Sequence, residues 1–166
     1  NDGSITKTHA TDHNVDGKAT ISRVIDNGMG QGAELDMSAP LKGQVKKATR
    51  TILLLPDGTL EVTDEITALD DIDSVVEWRM ISQSTMSSSS GIELTGVKDS
   101  KKKRKLFASC SDSGVKISYS IINPVIPSDW TGFTYIQTIK DKKIASWKAT
   151  VPKGTTVTFT TTLTKI

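Results

Sequence analysis

Residues 48–69 read ATRTILLLPDGTLEVTDEITAL, two apolar runs joined by Pro56-Asp57-Gly58. Proline presets φ at the first turn position, aspartate bonds the turn backbone, and glycine supplies the positive φ of a bulge. The stretch is therefore predicted to be a β-hairpin with a three-residue loop, a type I turn closed by a G1 bulge. Beyond the turn, Leu60, Val62, Ile66 and Ala68 alternate with Glu61, Thr63, Glu65 and Thr67. A period of two buries one face and wets the other. Asp64 falls on the apolar face. Counting back through the bulge sets Leu54 opposite Leu60, Ile52 opposite Val62 and Arg50 opposite Asp64. A lone charge on an apolar face is costly to desolvate, so Arg50 is predicted to pair with Asp64.

Working outward, residues 1–17 are polar and broken by Gly3, Asp12, Asn14, Asp16 and Gly17, and read as an extended N-terminal arm. Residues 18–166 read as one β-sandwich domain. Ala19, Ile21 and Val24 open a strand that stops at Asp26-Asn27-Gly28. A strand over 31–39 ends at Pro40. Downstream of the hairpin, Val76, Trp78 and Met80 share one face of a strand running to Ser84, with Trp78 as a core anchor. The serine tract at 87–90 reads as a loop. Ile92, Leu94 and Val97 form a short strand, and 98–105 a charged turn. Leu106, Ala108 and Cys110 then alternate inward.

Val115, Ile117, Tyr119 and Ile121 give the cleanest alternation in the chain. Two prolines keep 123–132 out of a central strand. Residues 133–139 and 144–151 read as a hairpin around Lys140-Asp141-Lys142-Lys143. Trp147 shares a face with Ala145, Ala149 and Val151. Val157, Phe159, Thr161 and Leu163 point inward along the last strand. About ten strands at short, regular spacing, with no βαβ alternation, predict an all-β fold, a two-sheet antiparallel β-sandwich. Trp78, Trp147, Ile117, Val62 and Phe159 are expected in its core.

The chain has 166 residues, a net charge of +2 and 5% aromatic residues. So small a net charge argues against nucleic acid or a membrane surface as partner. No apolar run approaches the length of a membrane span. Cys110 is the single cysteine, which excludes an internal disulfide. The opening Asn-Asp-Gly-Ser-Ile-Thr-Lys lacks a signal-peptide pattern and reads like the interior of a longer chain, so a fragment is expected.

Three phrases occur in order: the ATRTILLLPDGTLEVTDEI of the hairpin, VEWRMI at 76–81, and ASWKATVPKG at 145–154 followed by a threonine-rich last strand. Together they resemble the C-terminal β-sandwich of heparinase II/III-like polysaccharide lyases. The resemblance implies an N-terminal α/α-toroid packed on this sandwich and β-elimination on acidic, uronic-acid-containing polysaccharides. It also implies a periplasmic or secreted protein. In that family the base and acid sit mainly on the toroid. The sandwich contributes a zinc site through a His-X-His-X-Asp-X-Gly stretch, which nothing here matches. His13-Asn14 runs directly into Val15-Asp16-Gly17, without the strand that the family places between such elements.

No catalytic residue is therefore carried over, and no cofactor is expected in this chain, although the parent family binds zinc. The expectation is a non-catalytic domain that supports a toroid and is inactive alone. The alternative is an independent carbohydrate-binding module. A self-sufficient enzyme ranks third.

His9 and His13, four residues apart around Asp12, would share a metal on a helix, but the arm does not read as helical; they are weak metal candidates. Tyr119 alternates with core residues and reads as packing. Trp130, Phe133 and Tyr135 follow a proline-rich segment that does not read as core. They are candidates for stacking on sugar rings or for a seam against the toroid, the seam being preferred. Cys110 reads as a small buried hydrophobe. The Lys-Lys-Lys-Arg-Lys run at 101–105 reads as a solvated turn that blocks edge pairing, with a polyanion patch as its functional alternative.

Overall fold

The structure is a computed structural model that describes residues 18–125 and 142–166. Its first strands are β1 (Thr20–Asn27), β2 (Gly30–Asp36), β3 (Lys47–Leu54) and β4 (Leu60–Thr67). Next come β5 (Ser74–Ser82), β6 (Thr85–Ser89), β7 (Gly91–Thr95) and β8 (Lys103–Cys110). The last are β9 (Ser118–Ile122), β10 (Lys143–Val151) and β11 (Thr156–Lys165). There is no helix among the described residues. The large sheet has eight strands in the order β1-β2-β3-β4-β11-β8-β7-β6, and the small sheet three, β5-β10-β9. Every strand pairing is antiparallel. The fold is an all-β sandwich.

The hairpin forms as its turn chemistry requires. Gly58 takes φ of 81°, its N–H bonds the Leu55 carbonyl at 2.9 Å, and Asp57 Oδ1 accepts the Thr59 N–H at 2.8 Å. The register sets Leu54 opposite Leu60, Ile52 opposite Val62 and Arg50 opposite Asp64. Inward residues of the large sheet meet Trp147 and its neighbours in the small one. Trp147 and Phe159 are fully buried, with ring centroids 5.0 Å apart. Val62 is buried too, while Trp78 and Ile117 are half-buried and pack against the core.

Several local expectations need correction. The serine tract is a strand rather than a loop: β6 pairs with β7, and Met86 turns inward against the core while the serines stay exposed at the sheet edge. The strand predicted over 31–39 stops at Asp36, whose carboxylate accepts the Ser38 N–H at 2.8 Å and starts a turn. The strand before Ser84 ends at Ser82, where the Ser82 hydroxyl accepts the Ser84 N–H. Val97 lies beyond its strand and is exposed. Lys103, Arg104 and Lys105 belong to β8 and not to the charged turn.

The alternation from Val115 also overreaches. Only Ser118–Ile122 enters a ladder, while the Val115 N–H is tied to the Asp112 carbonyl in a turn. The predicted hairpin arm at 133–139 lies outside the described residues. β10 itself pairs with β5 and β9.

Among the described residues, three strands face a sheet of eight. The buried apolar residues come from β3, β4, β7, β8, β10 and β11 and their adjoining turns, and none from β1 or β2. Ile21 and Val24 pair with Leu35 and Ala33 on the same face that carries Arg50 and Ile52, yet remain 62% and 75% exposed.

Candidate functional site

Where β5 ends the small sheet, a cleft of about 670 Å³ opens between it and the β3–β4 face of the large sheet. Its apolar wall includes Met37, Leu41, Val45, Ile52 and Val62. Two charged groups are among its lining residues.

The first is the hairpin pair. Arg50 Nε donates to Asp64 Oδ1 at 2.6 Å and Nη2 to Oδ2 at 3.1 Å, a two-pronged contact. The Asp64 side chain is only 6% exposed, against 33% for Arg50. Adjacent strand positions place the two groups face to face, and the fork geometry of the guanidinium does the rest.

The second group lies on β5 and β10. Glu77 Oε2 accepts from Arg79 Nη2 at 2.6 Å and faces Lys148 Nζ at 3.4 Å; Oε1 accepts from the buried Ser146 hydroxyl at 2.7 Å. Burial pushes the Glu77 carboxyl up, but the bonds from Arg79 and Ser146 and the charge of Lys148 outweigh it and hold its pKa below the ordinary value. Glu77 is thus anionic at neutral pH and a weak base. The sequence reading missed this cluster. Glu77 and Arg79 look like routine outward positions, and only the long-range pairing of Trp78 with Trp147 brings Lys148 and Ser146 beside them.

Tyr119 reaches from the small sheet to β8, where its hydroxyl accepts the Ala108 N–H at 2.8 Å and donates to the Ala108 carbonyl at 3.0 Å. Burial raises its pKa. Both hydroxyl valences serve the fold. Cys110 is half-buried, with its sulfur 3.1 Å from the Asp112 carbonyl oxygen. Trp130, Phe133, Tyr135, His9 and His13 lie outside the described residues.

The described residues contain no histidine and no group of three metal-ligating side chains. Both carboxylates of the cleft already bond cations. The described residues of the cleft present an apolar wall with a charged rim, suited to holding an apolar or mixed surface.

Comparison with family models and with curated proteins finds no match. Solved structures do match. A heparan sulfate lyase HepC mutant from Pedobacter heparinus aligns over 89% of this chain and 22% of its own, with a TM-score of 0.59 at 11% identity. A structure of heparinase III aligns over 100% of this chain and 26% of its own, with a TM-score of 0.59 at 9% identity. Another heparinase III, with methylated lysines, aligns over 90% and 21%, with a TM-score of 0.61 at 12% identity. At such low identity the likeness is one of fold. The chain therefore has the β-sandwich fold that takes up about a fifth to a quarter of the length of these heparan sulfate lyase and heparinase III structures.

Proposed function

We propose that this chain is the non-catalytic β-sandwich domain of a heparinase II/III-like polysaccharide lyase, which supports an α/α-toroid that cleaves acidic, uronic-acid-containing glycans by β-elimination. The observation that carries this reading is the asymmetry of the structural match, which takes in 89–100% of this chain but only 21–26% of each heparinase structure. A domain of a larger lyase has that signature. The open flank of the large sheet fits the same reading. Ile21 and Val24 extend the apolar face beyond the reach of the small sheet, where a partner domain has surface to cover. The same family analogy supports the reading that the parent protein works in the periplasm or outside the cell.

The test is turnover by the isolated chain against turnover by the longer product of its reading frame. Elimination creates an unsaturated uronate that absorbs in the ultraviolet. The expectation is a steady rise with the longer product on a heparan-type substrate and none with the 166-residue chain. Changing Ile21 and Val24 to Asp in the longer product should lower turnover while leaving the sandwich folded. A rise with the isolated chain, or a longer product with no toroid-like helical region, overturns the proposal.

A further inference from the structure

At the end of the sandwich where β7 turns into β8, a second, shallower recess of about 320 Å³ opens between the sheets. Its floor is aliphatic, from Met80, Leu94 and Leu163, its side carries the Ser82 and Ser84 hydroxyls, and its rim carries Lys102 and Arg104. We propose that this recess is a binding subsite for an anionic sugar residue. Lys102 and Arg104 take its sulfate or carboxylate, and the neighbouring lysines extend the contact along an acidic glycan. The choice of a glycan rests on the lyase-domain reading above; the choice of an anion does not.

Charge carries the argument. Residues 98–105 hold six cations, Lys98, Lys101, Lys102, Lys103, Arg104 and Lys105, and one acid, Asp99. Asp99 serves the turn, since its Oδ1 accepts the Lys101 N–H at 3.0 Å. None of the six makes an ion pair among the described residues. Elsewhere, Arg23, Lys46, Lys47, Arg50 and Arg79 each have a carboxylate partner.

Register sharpens the point. Arg104 lies directly opposite Lys165 on one side and Leu94 on the other. Like charges opposite one another across a strand pair are destabilising, and among the described residues no ion pair to an acid offsets this one. A concave site with unneutralised cations above an aliphatic floor is complementary to a sugar that presents an anion and a C–H face. Among the described residues no aromatic side chain lines the recess, so they offer no stacking platform of the kind that single-stranded nucleic acid uses.

The experiment measures binding of a short heparin oligosaccharide to the 166-residue chain by calorimetry, at low and at physiological salt, with single-stranded DNA of equal charge as competitor. Lys102→Ala with Arg104→Ala should weaken heparin binding about tenfold or more, the loss expected for one or two charge-assisted bonds. Lys42→Ala with Lys153→Ala removes the same charge at the other end of the sheet and should change affinity less than about twofold. If the double variant melts early, Lys102→Ala alone, on an exposed turn, should still cost about threefold.

Absence of heparin binding by the wild-type chain overturns the proposal. So does equal loss in both double variants, which would mean diffuse charge, and so does tighter binding of DNA than of heparin. The lyase reading is judged separately by turnover of the longer product, so binding without turnover, or turnover without binding, shows which of the two has failed.

Discussion

Trp147, on the middle strand of the small sheet, donates its indole N–H to Thr161 Oγ1 of the large sheet at 2.9 Å, and both residues are buried. Apolar contact alone leaves two sheets free to slide; this bond fixes their relative position at the centre. A buried indole N–H without an acceptor retains its desolvation penalty. Thr161→Val keeps the shape and removes the acceptor, so it should cost about 1–3 kcal/mol in urea unfolding. In a Trp147→Phe background the same change should cost much less. Equal costs in both backgrounds would show that the bond contributes nothing.

Arg50 and Asp64 make a tighter but less sheltered pair. Removing one partner of a fully buried ion pair costs about 3–5 kcal/mol. With Arg50 a third exposed, Asp64→Ala should cost less, about 2–3 kcal/mol, because water screens the guanidinium left behind. Replacing both residues by apolar ones of similar size should recover most of that loss. A chemical-denaturation double-mutant cycle checks both statements.

Glu77 gives the acid limb a definite sign. Its folded pKa lies below the ordinary value of 4.5. Folding therefore gains stability from Glu77 above that value and loses it as pH falls through the lowered folded pKa. Glu77→Gln should flatten the stability profile on the acid side of 4.5 and change its slope little near neutrality. Ser146→Ala should shift the onset of acid unfolding upward. A profile for Glu77→Gln parallel to wild type throughout would exclude the assignment.

Two glycines should respond differently to the same methyl group. A Cβ on Gly32 would lie 1.8 Å from the Ile52 carbonyl oxygen, so β2 and β3 would have to separate; Gly32→Ala should cost about 2 kcal/mol or more. Gly58 has open space but φ of 81°, so Gly58→Ala meets only backbone strain, about 1 kcal/mol, and Gly58→Asn less. Melting curves of the three variants should fall in that order.

Short-range chemistry was the legible part of this chain. The Pro56-Asp57-Gly58 turn dictates the bulge, the bulge dictates the register, and the register sets Arg50 opposite Asp64. Period-two alternation located most strands and assigned Phe159 and Trp147 to the interior. The serine strand escaped because Ser87–Ser89 carry no apolar pattern of their own; edge pairing with β7 makes them extended. The start of β9 differs from the expectation for the opposite reason. Val115 and Ile117 face the core from an irregular segment, and burial alone mimics a ladder. The Glu77 cluster and the cationic recess depend on which strands become neighbours across long stretches of chain, and alternation is silent on that.

The strand order has a further consequence during synthesis. β11 is the last described strand to leave the ribosome, yet it lies between β4 and β8 in the middle of the large sheet. Until it arrives, the β1–β4 block and the β6–β8 block have no ladder joining them. Each then offers a bare edge to any extended chain nearby, β4 with Val62 and Ile66, β8 with Leu106 and Ala108. Thr161, the acceptor for the indole of Trp147, arrives on the same strand. Removing β11 would therefore do more than shorten the protein: it would leave two half-sheets whose readiest partners are the half-sheets of other copies, and the expected product is an aggregate.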